Sequence, residues 1–219
     1  MTDLQDSNDG VGQAGRVASE LQEPWDQRYS ASDQLWSGEP NGALVSETGG
    51  LGPGRALDVG CGEGADALWL AARGWEVTAL DVSRVALDRA AQQAARVGVQ
   101  VRWLHGGLVE AALPAASFDL VSAQYPALLR TPGRHAERAL LGAVAPGGML
   151  LVVHHPPPTP EQAHAHGFDP EDYVGPGEVA ELLDGNWRIE VQESRPRNLK
   201  TGAGAGHTQD LVLRARRLG

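Results

Sequence analysis

The sequence predicts an α/β domain built on a mostly parallel sheet with helices on both faces. Three observations predict it. Short apolar runs of strand length alternate with segments of helical period. One such run, at about 55–60, leads through Gly60, Gly62 and Gly64 directly into a helix. A second, Glu76 to Leu80, ends on an acidic residue, Asp81. Strand, glycine turn, helix, strand, carboxylate is how a parallel sheet builds a nucleotide pocket beyond the carboxyl ends of its strands.

Residues 1–20 are polar, rich in Asp, Gln and Gly, and lack period, which predicts a disordered tail. Residues 21–219 are expected to form one domain, with about 21–50 as an N-terminal cap. That cap holds Trp25-Asp26-Gln27-Arg28-Tyr29 and Leu35-Trp36-Ser37-Gly38-Glu39-Pro40-Asn41. Gly49, Gly50, Gly52, Pro53 and Gly54 follow as a flexible joint. Strands are expected at about 55–60, 76–80, 100–105, 118–123 and 148–154. Helices are expected at about 64–73, 83–97 and 133–144. Ala65, Leu68, Trp69 and Ala72 share one helical face, and Gly74 stands where a C-cap glycine belongs. Ser83 is the expected N-cap of the second helix and Gly98 its stop. Pro146-Gly147-Gly148 reads as a turn into the fifth strand. Residues 156–177 break the rhythm with Pro156, Pro157, Pro158, His164 and His166, and are expected to be a substrate-side loop or lid. A short helix near 177–183 and strands at about 187–192 and 208–213 complete the chain, the last two as an antiparallel pair.

Composition narrows the function classes. The chain has 219 residues and 42% hydrophobic content, enough for a full core. No apolar run approaches the ~18 residues of a membrane span. The N-terminus lacks a basic and then apolar leader, and Cys61 is the single cysteine, so a cytoplasmic location is expected. A formal net charge of −10 argues against a broad nucleic-acid surface and suits a small or cationic substrate. Oligomeric state is not legible.

The glycines permit close approach of a ligand to the backbone, and the helix start offers unpaired N–H groups. Asp81 lies about 20 residues beyond the turn, where such folds place a carboxylate on ribose hydroxyls. A solvated helix-lead aspartate is the plainer reading. Gly60-x-Gly62-x-x-Ala65 also fits the permissive dinucleotide pattern, which leaves an NAD(P)-dependent oxidoreductase as an alternative. Against that stands the lack of a second domain and of a recognisable Tyr/Lys or His/Asp set. Asp58 precedes the first glycine by two residues and either supports the turn or meets the ligand. Gln124 and Tyr125 follow the fourth strand and are candidates to line the site.

Leu57-Asp58-Val59-Gly60-Cys61-Gly62-Glu63-Gly64 resembles the first motif of class I S-adenosylmethionine-dependent methyltransferases, and Ala79-Leu80-Asp81-Val82-Ser83 resembles their acidic motif. The resemblance runs from about Trp25 to the C-terminus. It implies a Rossmann-like, seven-stranded sheet with its last strand antiparallel, and S-adenosylmethionine as cofactor. The implied cofactor site is Asp58, Gly60, Cys61, Gly62, Asp81, Val82, Gly107, Leu108 and Gln124. Many relatives place an acidic residue for adenine where Gly107 stands here. The cap is similar to that of small-molecule methyltransferases of the thiopurine and tellurite-resistance kind. That similarity implies Arg28 on the cofactor carboxylate through a planar fork, and Trp36 over the methionine arm. Simple burial of Trp25, Tyr29 and Trp36 on the core is the alternative.

The implied reaction is direct methyl transfer to a small-molecule acceptor. A catalytically inactive S-adenosylmethionine-fold binding protein is the non-enzyme alternative. His154 and His155 end the fifth strand and are the candidate general bases, set against strand-end histidines bonded to backbone. His164-x-His166 lacks a third ligand, so no metal is expected. His207 has no direction fixed by sequence, and Cys61 is read as packing because transfer from a sulfonium needs no covalent relay.

Overall fold

The chain alternates β-branched and aliphatic runs with helical stretches, and that alternation decides the architecture. The computed structural model describes residues 20–157, 172–197, 202 and 206–219. The expected tail before residue 20, and most of the expected lid with His164 and His166, lie outside the described residues.

The strands are β1 (Arg55–Val59), β2 (Glu76–Asp81), β3 (Arg102–His105), β4 (Phe118–Gln124), β5 (Val144–His154), β6 (Trp187–Pro196) and β7 (Gln209–Arg217). Helix α1 covers residues 20–30. It is followed by α2 (Gly42–Thr48), α3 (Ala65–Ala71), α4 (Arg84–Val97), α5 (His135–Ala143) and α6 (Pro176–Ala180). The strands form one seven-stranded sheet in the order β3-β2-β1-β4-β5-β7-β6. The first five pair in parallel, and β7 runs antiparallel to both β5 and β6. Fold class and reversed last strand agree with the sequence reading.

The central strands are apolar on both faces because helices cover both. Leu57, Val59, Val121, Leu150 and Val152 pack with Leu140 of α5 and Val179 of α6. Ala56, Val77, Ala79, Leu120 and Leu151 pack on the other side with Leu44 of α2 and Leu70 of α3. Among the described residues no helix is long and apolar enough to cross a membrane.

Three strand boundaries differ from expectation by four residues each. β5 begins at Val144, not after the Pro-Gly-Gly triplet. Val144 pairs with Phe118 and Met149 with Leu120, so Pro146–Gly148 is absorbed as a bulge, with Gly147 at φ +77°. β6 and β7 extend beyond 192 and 213 because the outer pair is only half covered. Its outer segments carry Arg and Glu rather than an apolar run.

The turn signals hold. The Ser83 hydroxyl accepts from the Ala86 N–H and caps α4, and Gly98 closes it at φ +73°. Gly64 opens α3 at φ +84°, and a Cβ there would lie 2.8 Å from Ala90 Cβ and 3.0 Å from a Trp103 ring carbon. This glycine is required by helix packing as well as by its dihedral. Gly64→Ala should destabilise the protein by about 2 kcal/mol, from left-handed strain and overpacking together. Urea unfolding checks it, and an unchanged midpoint refutes it.

Candidate cofactor and acceptor site

Side chains alternate along a strand, so parallel register places like positions on one face. Asp58 is level with Ala79 of β2 and Ser122 of β4. Asp81 and Gln124 lie two residues further along the same face. The carboxyl ends of β1, β2 and β4 thus bring together a polar shelf beneath the glycine turn.

Asp81 is 7% exposed, and both its oxygens hold backbone. Oδ2 accepts from the Gly62 N–H at 2.8 Å and Oδ1 from the Ser83 N–H at 2.8 Å. The aspartate that bonds the glycine turn is therefore Asp81, not Asp58. Asp58 instead accepts from the backbone of Ala67 in the first turn of α3, and its Oδ2 is buried with no partner. Gln124 donates from Nε2 to the Ser122 hydroxyl at 3.0 Å, and its Oε1 is also buried without a partner.

Asp66, in the first turn of α3, is the third carboxylate here. Its oxygens accept from the Asn41 backbone N–H at 2.7 Å and side-chain amide at 2.8 Å. Burial, then the charges of Asp66 and Asp81, push the Asp58 carboxyl well above the ordinary carboxylate range. Burial also raises Asp66 and Asp81. The raised Asp58 value makes the folded state less stable as pH rises from the unfolded carboxylate range, about 3.9, through the folded value. Asp58→Asn should therefore flatten the fall in Tm as pH rises above the ordinary carboxylate range in cofactor-free protein. A variant with the wild-type pH slope would contradict this origin of the shift.

The cap is fastened to the turn by carboxylates. Glu63, inside the glycine turn, accepts from the Leu35 and Trp36 N–H groups at 3.2 and 3.0 Å. Arg89 of α4 reaches Glu63 at 2.9 Å and donates to the carbonyls of Tyr29 and Ser32. Asp26 of α1 accepts from the Ser83 hydroxyl at 2.6 Å and the Val85 N–H at 3.2 Å. These bonds set Tyr29 and Trp36 on Gly62. A Cβ at Gly62 would stand 2.8 Å from Tyr29 Oη and 3.3 Å from Trp36 Nε1, and Trp36 Nε1 donates to Tyr29 Oη at 2.9 Å. Gly60, at φ +69°, is less crowded, since its Cβ would meet Pro126 at 3.4 Å.

The predicted residues fall into separate places. Asp58, Gly60, Cys61, Gly62, Asp81, Val82 and Gln124 gather at the carboxyl edge of the sheet. Burial, then Asp58 and Asp81, push the Cys61 thiol up, which fits packing and not nucleophilic use. Val82 presents its carbonyl to His105 Nε2 at 3.0 Å. Gly107 follows Gly106, whose N–H donates to the Asp81 carbonyl at 3.0 Å. Leu108 is 4% exposed and its side chain belongs to the apolar core, because the loop after β3 turns inward there. Arg28 is exposed and lies over the rings of Trp25 at 5.0 Å and Trp36 at 5.8 Å. Trp25 and Trp36 are only half-buried, whereas Tyr29 is 3% exposed, so simple core burial describes Tyr29 alone.

His154 is pushed down by burial and its Nδ1 lies 3.3 Å from the His155 carbonyl. His155 instead joins a group that strand periodicity did not reveal: Tyr125, Arg197, His207 and Asp210. The buried Asp210 of β7 accepts from the Tyr125 hydroxyl at 2.8 Å and from Arg197 at 3.3 Å. The available signal was an acidic residue leading an otherwise apolar last strand. Glu63, Asp66, Asn41 and Arg89 were missed too, although Glu63 stands within the motif itself.

A family model described as a methyltransferase domain matches residues 56–148, from β1 into β5. An uncharacterized methyltransferase of Mycobacterium tuberculosis is 39% identical over 122 residues, covering 55% of this chain and 61% of the relative. A structure solved for the conversion of a disulfide bond into a thioacetal group during echinomycin biosynthesis is similar at TM-score 0.71 and 25% identity. It covers 90% of this chain and 92% of that one. Residues 56–148 are thus similar to a methyltransferase domain, set in the seven-stranded sheet described above. The chain spans about three fifths of the length of the Mycobacterium relatives it matches. A ribosomal RNA small subunit methyltransferase C of Alcanivorax borkumensis is 43% identical over only 56 residues, 26% of this chain and 17% of that one.

S-adenosylmethionine is the cofactor of the superfamily that this chain resembles, and the residues at the carboxyl edge of the sheet fit it. The molecule brings an ammonium and a sulfonium. The shelf offers three carboxylates, with one orphaned oxygen on Asp58, beside a turn whose glycines sit at φ +69° and +53°. Two positive centres placed there offset like-charge repulsion that the protein alone leaves only partly answered by Arg197.

Proposed function

We propose that this protein is a methyltransferase that acts on a small-molecule acceptor by direct methyl transfer from S-adenosylmethionine. In this reading the bound cofactor supplies an electrophilic methyl group. Asp81, with lone pairs remaining on both oxygens, takes the ribose hydroxyls. The backbone of Gly60–Gly62 lines the approach, and the orphaned Asp58 oxygen answers the amino group. Arg28 is the cation offered to the carboxylate, and Trp36 screens the methionine arm. Holding two reactants in line can supply roughly 7–11 kcal/mol of the barrier reduction.

The observation that carries the small-acceptor reading is the state of four arginines on β7 and on and just after β6. Arg195 is bonded to Glu47, Arg214 to Glu47 and Glu190, Arg216 to Glu190, and Arg197 to Asp210. These cations are neutralised in place and form no stripe for phosphates, in a chain of formal net charge −10. The ribosomal RNA relative overlaps too short a stretch to bear on the acceptor.

Calorimetric titration with S-adenosylmethionine, S-adenosylhomocysteine and NADH tests the cofactor half. Binding of the first two and not of NADH is expected, and NADH binding alone would return the oxidoreductase reading. A screen of small acceptors, read by S-adenosylhomocysteine release, tests the rest. Turnover of structured RNA but of no small molecule overturns the acceptor class. Cofactor binding without any turnover supports the inactive binding protein.

A further inference from the structure

A stack of rings stands beside the glycine turn, at the carboxyl ends of β4 and β5. Tyr125 directly follows Gln124 at the end of β4, and the next residue, Pro126, is the one a Gly60 side chain would meet. Tyr125 is held at φ +52°, a conformation uncommon outside glycine. Its N–H donates to the Val153 carbonyl at 2.8 Å and its hydroxyl to Asp210. Backbone strain kept by two such anchors is often found where function requires one orientation. His155 stacks on Tyr125 at 4.3 Å, and His207 stacks on His155 at 3.6 Å with the planes 4° apart. Arg197 lies 4.3 Å from the centre of the Tyr125 ring.

His155 Nδ1 is buried without a hydrogen-bond partner and lies 3.7 Å from Asp210 Oδ1. A proton on Nδ1 directed at that carboxylate leaves the Nε2 lone pair for an incoming group. The charged and titratable groups facing His155 are Tyr125 from β4, His154 from β5, Arg197 after β6, and His207 and Asp210 on the approach to and start of β7. His207 is pushed down by burial and then by its neighbour His155. Burial works against the charge on Asp210. Its contacts with His155, Tyr125 and Arg197 outweigh that and keep it ionised.

Resting on the methyltransferase reading above, we propose that Tyr125, His155 and His207 wall the acceptor site. The acceptor is a flat aromatic molecule carrying an ionisable O–H or N–H. His155 takes that proton, and Asp210 is its positioning carboxylate. The bookkeeping of atoms is simple. The acceptor heteroatom loses its proton to Nε2 and forms a bond to the methyl carbon. The carbon–sulfur bond breaks with its electron pair on sulfur, and the imidazolium returns the proton to water.

The test uses the full chain with S-adenosylmethionine and three probes: catechol, 4-methylaniline and benzenethiol, the last being largely ionised at neutral pH without help. The wild type should methylate catechol or 4-methylaniline. His155→Gln should lose about 10²–10⁴-fold of that rate at neutral pH, recover with catechol as pH rises, and keep its cofactor affinity and any benzenethiol turnover. Asp210→Asn should move the acid limb of the pH–rate profile to lower pH, because the imidazolium loses its neighbouring negative charge. Methylation of benzenethiol alone, no turnover of any probe by cofactor-bound protein, or equal loss with all probes in His155→Gln overturns the proposal. So does an unmoved acid limb in Asp210→Asn. Failure of the wild type to bind S-adenosylmethionine is a separate result that removes the methyltransferase reading itself.

Discussion

Gly62→Val should weaken S-adenosylmethionine binding by at least about a hundredfold, or close to 3 kcal/mol. The residue sits at φ +53°, where a β-branched side chain is strained. Its added Cβ would also lie inside contact distance of Tyr29 Oη. Tyr29 is 3% exposed and α1 is tied down by Asp26 and Arg89, so the tyrosine has little room to yield. The cap must lift, or the turn must rotate and give up the Gly62 N–H bond to Asp81. Either outcome degrades the cofactor face and exposes Trp36. Titration calorimetry measures the first effect and tryptophan emission the second. Near-wild-type affinity with unshifted emission would show that the cap does not close on the cofactor turn. Gly60→Val is expected to be milder sterically, since Pro126 stands at ordinary contact distance.

Asp81→Ala should cost both affinity and stability. Loss of hydrogen bonds to the carboxylate removes about 1.5–3 kcal/mol of cofactor affinity, roughly tenfold to a hundredfold. The structure adds a second cost, because the Gly62 and Ser83 N–H groups lose their acceptor in a buried place. An unsatisfied buried donor costs about 1–3 kcal/mol, so two of them exceed the relief from removing a desolvated charge. The fold should therefore be visibly less stable, with a lower urea midpoint in cofactor-free protein. Asp81→Asn separates the parts, since its amide oxygen can still accept one N–H. If Asp81→Ala binds cofactor normally, the ribose assignment is wrong. If its stability is unchanged, the turn is held by other bonds.

Much of the site was legible because its features are local. Glycines at alternate positions after an apolar strand demand positive φ within a few residues. Gly60, Gly62 and Gly64 lie at φ +69°, +53° and +84°. Ser83 and Gly98 bound α4 for the same local reason. That the Leu108 side chain packs in the core was not legible, because a loop following a strand gives no period to tell an inward side chain from an outward one. Pro146–Gly148 read as a turn because proline and glycine signal broken structure, whether the chain reverses or only bulges.

By itself, the sequence determined the alternating α/β pattern, the glycine turn and the carboxylate at the end of β2. Each follows from dihedral preference or hydrophobic period over a short window. Only the tertiary structure decided which aspartate holds the turn and which stands orphaned, because Asp58 and Asp81 differ by register across two strands. It alone brought Glu63 to Leu35 and Trp36, and Asp210 to Tyr125 and His155, across 85 residues in the latter pair with Tyr125. Such pairings arise from how a twisted sheet and its cap close on one another. They follow from the packing of the whole chain, and no period or propensity within any one segment encodes them.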